Sequence, residues 1–480
     1  MITERFHEQL GEIDLKYVSE SAPRLKKNKR PWISAVAAVL VIAVVLGVFF
    51  GRGGKPESVT PVPGAVKSFA VSAPQYPATV PYPASELTGY DAWAKSRMER
   101  RQFNGAGSDL KDFFARANAA VLGDIRQNTV FSPLNTFMAL AMLAEITDGS
   151  SRAQVLDALG VADVETLRDK TYRVWNANYS NDGAVTSILG NSVWLSDGLE
   201  YRQEILDTLA RSYFASSFRG DFSDDRYRNA MRQWISEQTG GLLQQQAGNL
   251  DLLPETVLTL LSTLYFRAKW SDEFSESNTE DAVFHGKSGD ASVPFMHRDD
   301  VYGAYYFGER FGAVRLYLRE GGAMWFLLPD EGVTPDALFL DTEAQALMAV
   351  MDDCEAQESY PNHKSLKIHL SLPRFDVSSE LDLKQAVAAL GVTDVFDTAQ
   401  ADFTPLTQNV PVAVDQIRHG ARVAIDEEGV TAASFTAIIG NGAAMPPEEE
   451  MDFVLDRPFA FVITGLDGLP LLTGTVWDIE

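Results

Sequence analysis

The stretch from Asp426 to Pro447 places the tightest constraint on what this chain can fold into. It reads Asp-Glu-Glu-Gly-Val-Thr-Ala-Ala-Ser-Phe-Thr-Ala-Ile-Ile-Gly-Asn-Gly-Ala-Ala-Met-Pro-Pro, and no charged side chain falls between Gly429 and Pro447 in a chain of formal net charge -25. It is too apolar for a permanently solvated loop, while its small residues and glycines suit neither a stable core helix nor an ordinary strand. One state accommodates it: an exposed loop that can become a strand inside a sheet, where small uncharged side chains are buried and backbone groups pair. The rest of the chain is then expected to supply the receiving sheet.

A composition of 45% hydrophobic and 22% charged residues over 480 positions is that of a folded protein with a sizeable core. Its acidic balance, with no Lys/Arg cluster in the globular part, excludes nucleic acid as the main partner. The single cysteine, Cys354, forms no internal disulfide and leaves the redox compartment open. The chain has no Gly-x-Ser-x-Gly elbow, His-Glu-x-x-His helix, phosphate-binding glycine loop or Cys/His metal spacing, so neither an enzyme nor a cofactor or metal is expected.

Residues 32–50, Trp32 to Phe50, are uniformly apolar and about as long as a membrane-crossing helix, so a transmembrane span is expected there. Arg24, Lys26, Lys27, Lys29 and Arg30 precede it and only Arg52 and Lys55 follow, which predicts a cytoplasmic tail (1–31) and an extracellular remainder. Residues 51–108 carry prolines at 56, 61, 63, 74, 77, 81 and 83 and read as an extended stalk. A short helix is expected near Gly89–Arg101, packed on the domain or not.

The globular part is expected from 109 to 480. Leu110, Phe113, Phe114, Ala117 and Val121 share one face of a helix over Asp109–Leu122, and Asn135–Ile146 is apolar enough to be buried all round. Gly149–Gly160 reads as a short helix ended by glycine, with another at Arg228–Gln238. Strands are expected at Asn191–Leu195, Thr256–Phe266, Ala323–Leu328 and Leu366–Phe375. This is an α+β pattern without a βαβ rhythm.

Nine stretches then fall in the order of a known family: Phe131-Ser-Pro, Ser151-Arg-Ala-Gln-Val-Leu, Trp234-Ile-Ser-Glu-Gln-Thr-Gly-Gly, Leu264-Tyr-Phe-Arg-Ala-Lys-Trp270, Leu327-Leu-Pro-Asp-Glu-Gly, Leu372-Pro-Arg-Phe, Leu390-Gly-Val-Thr-Asp-Val-Phe, Asp426-Glu-Glu-Gly and Arg457-Pro-Phe. Each alone is weak, but the ordered set resembles a serpin across 109–480, here with a membrane anchor and of bacterial type. The resemblance implies a large central sheet, further sheets, about nine helices and an exposed reactive loop. It also implies inhibition of a serine, or possibly cysteine, protease by a monomer: the protease forms an acyl-enzyme on the loop, and the cut loop inserts into the central sheet before deacylation. The alternative is a non-inhibitory binding or surface protein on the same fold.

On this resemblance Glu427, Glu428 and Gly429 are the start of the hinge, and Val430, Thr431, Ala432, Ala433 and Ser434 its small-residue run. Val430, Ala432, Ser434 and Thr436 would face the core on insertion, and Phe435 the outer face. Counting along the hinge places the reactive bond at Ala443-Ala444, with a shift of one or two residues or to Met445 left open. Alanine there suits an elastase-like or subtilisin-like protease. His419 matches a histidine beneath the opening sheet, with Ser132 and Asn135 beside it and Ser262 where the family has asparagine, which leaves the partner of His419 open. Trp270 matches a tryptophan near the top of that sheet. These five are expected to form a structural latch.

Overall fold

The computed structural model describes residues 64–83, 89–248, 256–414, 416–430 and 449–479. The chain divides between Glu57 and Ser58, and all described residues belong to the second part. The first elements fall in the segment expected to be a free stalk: a short helix α1 (Gly64–Lys67), a strand β1 (Ala70–Ser72) and a helix α2 (Tyr90–Arg100). The described residues of this segment are packed instead. Tyr76 stacks on Trp175 at 5.4 Å and on Tyr179 at 5.6 Å, and buried Trp93 donates its ring N–H to Asp182 across 3.0 Å. The prolines keep the chain extended, but the aromatic residues between them find partners on the domain, and their burial outweighs solvation.

The expectation of a single-pass membrane protein is corrected. No helix of the described residues is long and apolar enough to cross a membrane. The longest, α6 (Val164–Asn178), has 15 residues and charges along it, about 22 Å against a hydrocarbon core of about 30 Å. Residues 32–50 themselves lie outside the described residues, and the cytoplasmic tail and extracellular placement inferred from them have no support.

Helix α3 (Lys111–Leu122) buries Phe113, Phe114, Ala117 and Val121, the face its spacing prescribes. After strand β2 (Thr129–Phe131) the chain turns at Ser132 into helix α4 (Pro133–Ile146), whose residues other than Ala139 are all buried. The Ser132 hydroxyl caps α4 by accepting the Asn135 N–H, and Pro133 fits the first turn, where no N–H is needed. Helix α5 (Gly149–Leu159) ends at Gly160, whose φ of 67° is the left-handed conformation a terminating glycine adopts cheaply.

Two sheets enclose the core. The first runs β1-β5-β4-β6-β14-β13-β12, comprising β5 (Ala215–Gly220), β4 (Thr186–Ser196), β6 (Leu258–Lys269), β14 (Gly429–Val430), β13 (Arg418–Ile425) and β12 (Phe375–Asp382), with β3 (Ser180–Asn181) on β4. The second runs β15-β11-β8-β9-β10-β16-β17-β2, comprising β15 (Glu450–Val454), β11 (His363–Pro373), β8 (Gly289–Phe307), β9 (Phe311–Tyr317), the wholly buried β10 (Ala323–Pro329), β16 (Phe459–Thr464), β17 (Pro470–Val476) and β2, with β7 (Thr279–Gly286) on β8. The Leu366–Phe375 strand expected from the sequence is two strands, because the chain leaves the second sheet at Arg374 and enters the first at Phe375. Helix α4 packs on one face of the first sheet; after helix α7 (Gln203–Ser212), helix α8 (Asp225–Gln238) covers the other face, its Tyr227 and Trp234 against Trp194 and Phe218.

Candidate functional site

The site begins where β13 ends. Asp426 Oδ1 accepts the N–H groups of Glu428 (3.0 Å) and Gly429 (3.1 Å), closing a tight turn. The end of β6 grips this turn: Trp270 donates its backbone N–H to the Glu428 carbonyl (3.0 Å) and its ring N–H to the Asp426 carbonyl (2.9 Å). Glu427 points inward, 5% exposed, and its carboxylate accepts from Arg374 Nε at 2.8 Å and Thr279 Oγ1 at 2.5 Å. Burial opposes its ionisation, but the hydrogen bonds from Arg374 and Thr279 outweigh burial and hold the carboxyl below its ordinary range. Lys269 lies between Glu273 (3.0 Å) and Glu428 (3.8 Å).

Gly429 and Val430 form β14 between β6 and β13. Gly429 pairs with Lys269, and Val430 with Ala268 on one side and Ile425 on the other. A Cβ on Gly429 would stand 2.5 Å from the Ala268 carbonyl oxygen, so no other residue fits so close to β6. Val430 is 2% exposed. Thr431, Ala432, Ala433, Ser434, Phe435, Thr436, Ala443, Ala444 and Met445 lie outside the described residues. The described chain resumes at Glu449, and β15 lies parallel to β11 with Glu450 opposite Lys367.

Below Val430, among the described residues, no ladder pair joins β6 to β13. Two cavities fill this gap. One, of about 50 Å³, lies on the α4 side among Leu140, Leu143, Leu260 and Ile417; the other, of about 70 Å³, lies on the α8 side among Ile235, Leu243, Leu261 and Gly420. Ser262 and His419 line both. Each has room for a few waters but not for a strand.

His419 accepts the Ser132 N–H at Nε2 (3.1 Å) and meets Phe131 edge-on at 5.4 Å, while the Ser132 hydroxyl donates to the Leu471 carbonyl (2.6 Å). Burial lowers the imidazole to about 4, so the ring is neutral at physiological pH and Nδ1 carries the proton. The partner left open by Ser262 is thus the backbone of Ser132. Ser262 Oγ and Asn135 Oδ1 are buried without a hydrogen-bond partner among the described residues, and both face the gap. Ser132, Asn135, Ser262 and His419 come together around the gap, whereas Trp270 stands eight residues on from Ser262, just past the end of β6 and about 26 Å away. Sequence reasoning did not assign Arg374 or Thr279 to the site, although Arg374 lies in the Leu372-Pro-Arg-Phe stretch that carried the resemblance.

A family model described as "Serpin (serine protease inhibitor)" matches residues 112–479. Alpha-1-antiproteinase of Rattus norvegicus is 27% identical over 384 residues, covering 77% of this chain and 88% of that protein. Serpin-Z2A of Oryza sativa subsp. japonica is 28% identical over 411 residues, covering 76% and 96%. The fold is also that of the thermophilic serpin tengpin in its native state, with a TM-score of 0.67, 23% identity and coverage of 77% of this chain and 93% of that one.

Proposed function

Because the chain belongs to the serpin family, we propose that it inhibits serine proteases as a suicide substrate, inserting its cut loop between β6 and β13. The observation that carries this reading is the position of Gly429 and Val430: Gly429 is paired with β6, and Val430 with both β6 and β13, above a gap with no ladder pair between those strands. Continuing that register antiparallel to β6 would set Thr431 opposite Arg267 and Gly440 opposite Leu258. Val430, Ala432, Ser434 and Thr436 would face the core, all small to medium and uncharged.

The chemistry belongs to the protease. Its hydroxyl attacks the Ala443 carbonyl, the Ala443-Ala444 bond breaks with release of the Ala444 amine, and the Ala443 acyl group remains as an ester on the enzyme. Water would hydrolyse that ester unless insertion carries the enzyme away first. New ladder bonds and partners for groups such as Ser262 Oγ drive the insertion. Alanine at the cut bond favours elastase-like or subtilisin-like enzymes. One relative, leukocyte elastase inhibitor A of Rattus norvegicus, 28% identical over 344 residues, is named for an enzyme of this class, whereas plasminogen activator inhibitor 1 of Sus scrofa, 29% identical over 349, is named for another target.

The test is incubation with a panel of serine proteases. An SDS-stable adduct, with a released C-terminal peptide beginning at Ala444, is expected from an enzyme that accepts alanine; complete cleavage with no adduct from any enzyme overturns the reading.

A further inference from the structure

A cut loop enters the first sheet only if the sheet makes room. Each neighbour of an inserted strand lies about 4.8 Å from it, whereas the two cavities below Val430 hold no more than a few waters. Strands β6 and β13 must therefore part, and β4 and β5 beyond β6 must give way together with α8, whose Ile235 lines one cavity. Residues 64–83 and 89–103, which lie ahead of the family match at 112–479, are bound to those same elements.

This strap begins on α8 and β5. Phe69 meets Tyr227 of α8 edge-on at 5.0 Å, and β1 covers the outer edge of β5 with Ala70 opposite Phe218. Tyr76 then stacks on Phe214, the residue before β5, at 6.3 Å. Trp93 and Arg97 of α2 hold the lead into β4 through Asp182, at 3.0 Å and 3.6 Å, and Arg97 Nη2 donates to the Glu320 carbonyl in the turn between β9 and β10. In that turn the Arg319 N–H donates to the Lys269 carbonyl (2.7 Å), at the hinge end of β6. Phe214 (φ 50°) and Glu320 (φ 61°) are the two non-glycine residues, among those described, with a left-handed backbone. Such a conformation is costly and persists only where neighbours enforce it, and the strap touches both.

We propose that this strap is a brace that slows entry of the cut loop, and so sets how much attacking protease is trapped and how much escapes by deacylation. This rests on the loop-insertion reading above. Movement of β4, β5 and α8 strips contacts from Phe69 and Tyr76 and stretches Arg97 between Asp182 and Glu320. The side chains of Arg97 and Asp182 are only 15% and 6% exposed, so solvent does not screen their attraction away. The barrier to entry includes the loss of these contacts, and a weakened strap removes that part of it. Arg97 and Tyr76 are thus positioning residues, acting through the strands they hold.

The experiment uses the full chain carrying Val430→Arg, in which insertion is slow enough for deacylation to compete, and counts inhibitor molecules consumed per trapped enzyme. Adding Arg97→Gln or Tyr76→Ala should lower that number about threefold to tenfold, with the rate of loop cleavage unchanged. In a chain that also carries Glu320→Gly, where glycine adopts the left-handed turn at little cost, Arg97→Gln should have little further effect. Amide hydrogen exchange of the uncut protein should quicken in 317–322 with Arg97→Gln and in Ala215–Gly220 with Tyr76→Ala. An unchanged or larger number, an undiminished Arg97→Gln effect beside Glu320→Gly, or unaltered exchange overturns the brace alone. One-to-one trapping by Val430→Arg itself, or no adduct with any enzyme, overturns the loop-insertion reading and the brace with it.

Discussion

The backbone N–H of Ser132 donates to Nε2 of His419 across 3.1 Å, joining the start of α4 to β13 at the edge of the gap in the first sheet. The bond requires a neutral ring, and burial lowers His419 to about 4 in the fold against an ordinary 6.5. The unfolded chain therefore binds the extra proton first. His419 leaves stability undiminished above pH 6.5 and removes it progressively as pH falls towards 4, by up to about 3 kcal/mol. Denaturant midpoints measured from pH 7 to pH 4 should show this loss in the wild type and a shallower one in His419→Asn; equal slopes would mean that another group titrates.

Glu427 and Arg374 pair at the turn after β13, where the proposed loop begins. Glu427 is buried while Arg374 is 41% exposed, so Arg374→Ala strands a buried carboxylate, and the water that already screened the Arg374 side of the pair limits the loss. A loss of about 2 kcal/mol is expected, with Thr279 left as a residual donor. Glu427→Gln, which keeps the shape and removes the charge, should cost less. Denaturant unfolding of both variants checks the order.

The assignment of the cut bond makes a separate prediction. Ala443→Arg should carry inhibition from alanine-accepting enzymes to trypsin-like ones, whose pocket holds a buried acid. A released peptide that begins anywhere other than Ala444 places the bond elsewhere.

Much of the fold was legible where local pattern and burial agree. The face of α3, the all-round burial of α4 and the glycine stop at Gly160 follow from side-chain spacing and cap chemistry, and nine short stretches in order carried the family. Residues 64–103 misled because proline dominates local reading, whereas Tyr76 and Trp93 answer to Trp175 and Asp182, about 90 to 100 positions away. The break at Arg374 was hidden for the same reason: β-favouring residues flank it, and only the distant carboxylate of Glu427 explains why its side chain turns away. The apolar run at 32–50 shows that hydropathy alone proposes a span; no helix among the described residues supports one.

Inhibition stoichiometry for Val430→Arg set beside Thr431→Arg puts insertion through the hinge to its sharpest test. Val430 is buried between Ala268 and Ile425 in the uncut protein, so a guanidinium there would pull this pair out of the gap and insertion would have to desolvate it to bury it again, whereas position 431 would face outward. An added barrier of about 3 kcal/mol slows insertion roughly a hundredfold, and deacylation wins. Val430→Arg should still be cut at the same bond but consume many inhibitor molecules per trapped enzyme, with Thr431→Arg close to one-to-one. One-to-one trapping by Val430→Arg would contradict insertion through this hinge.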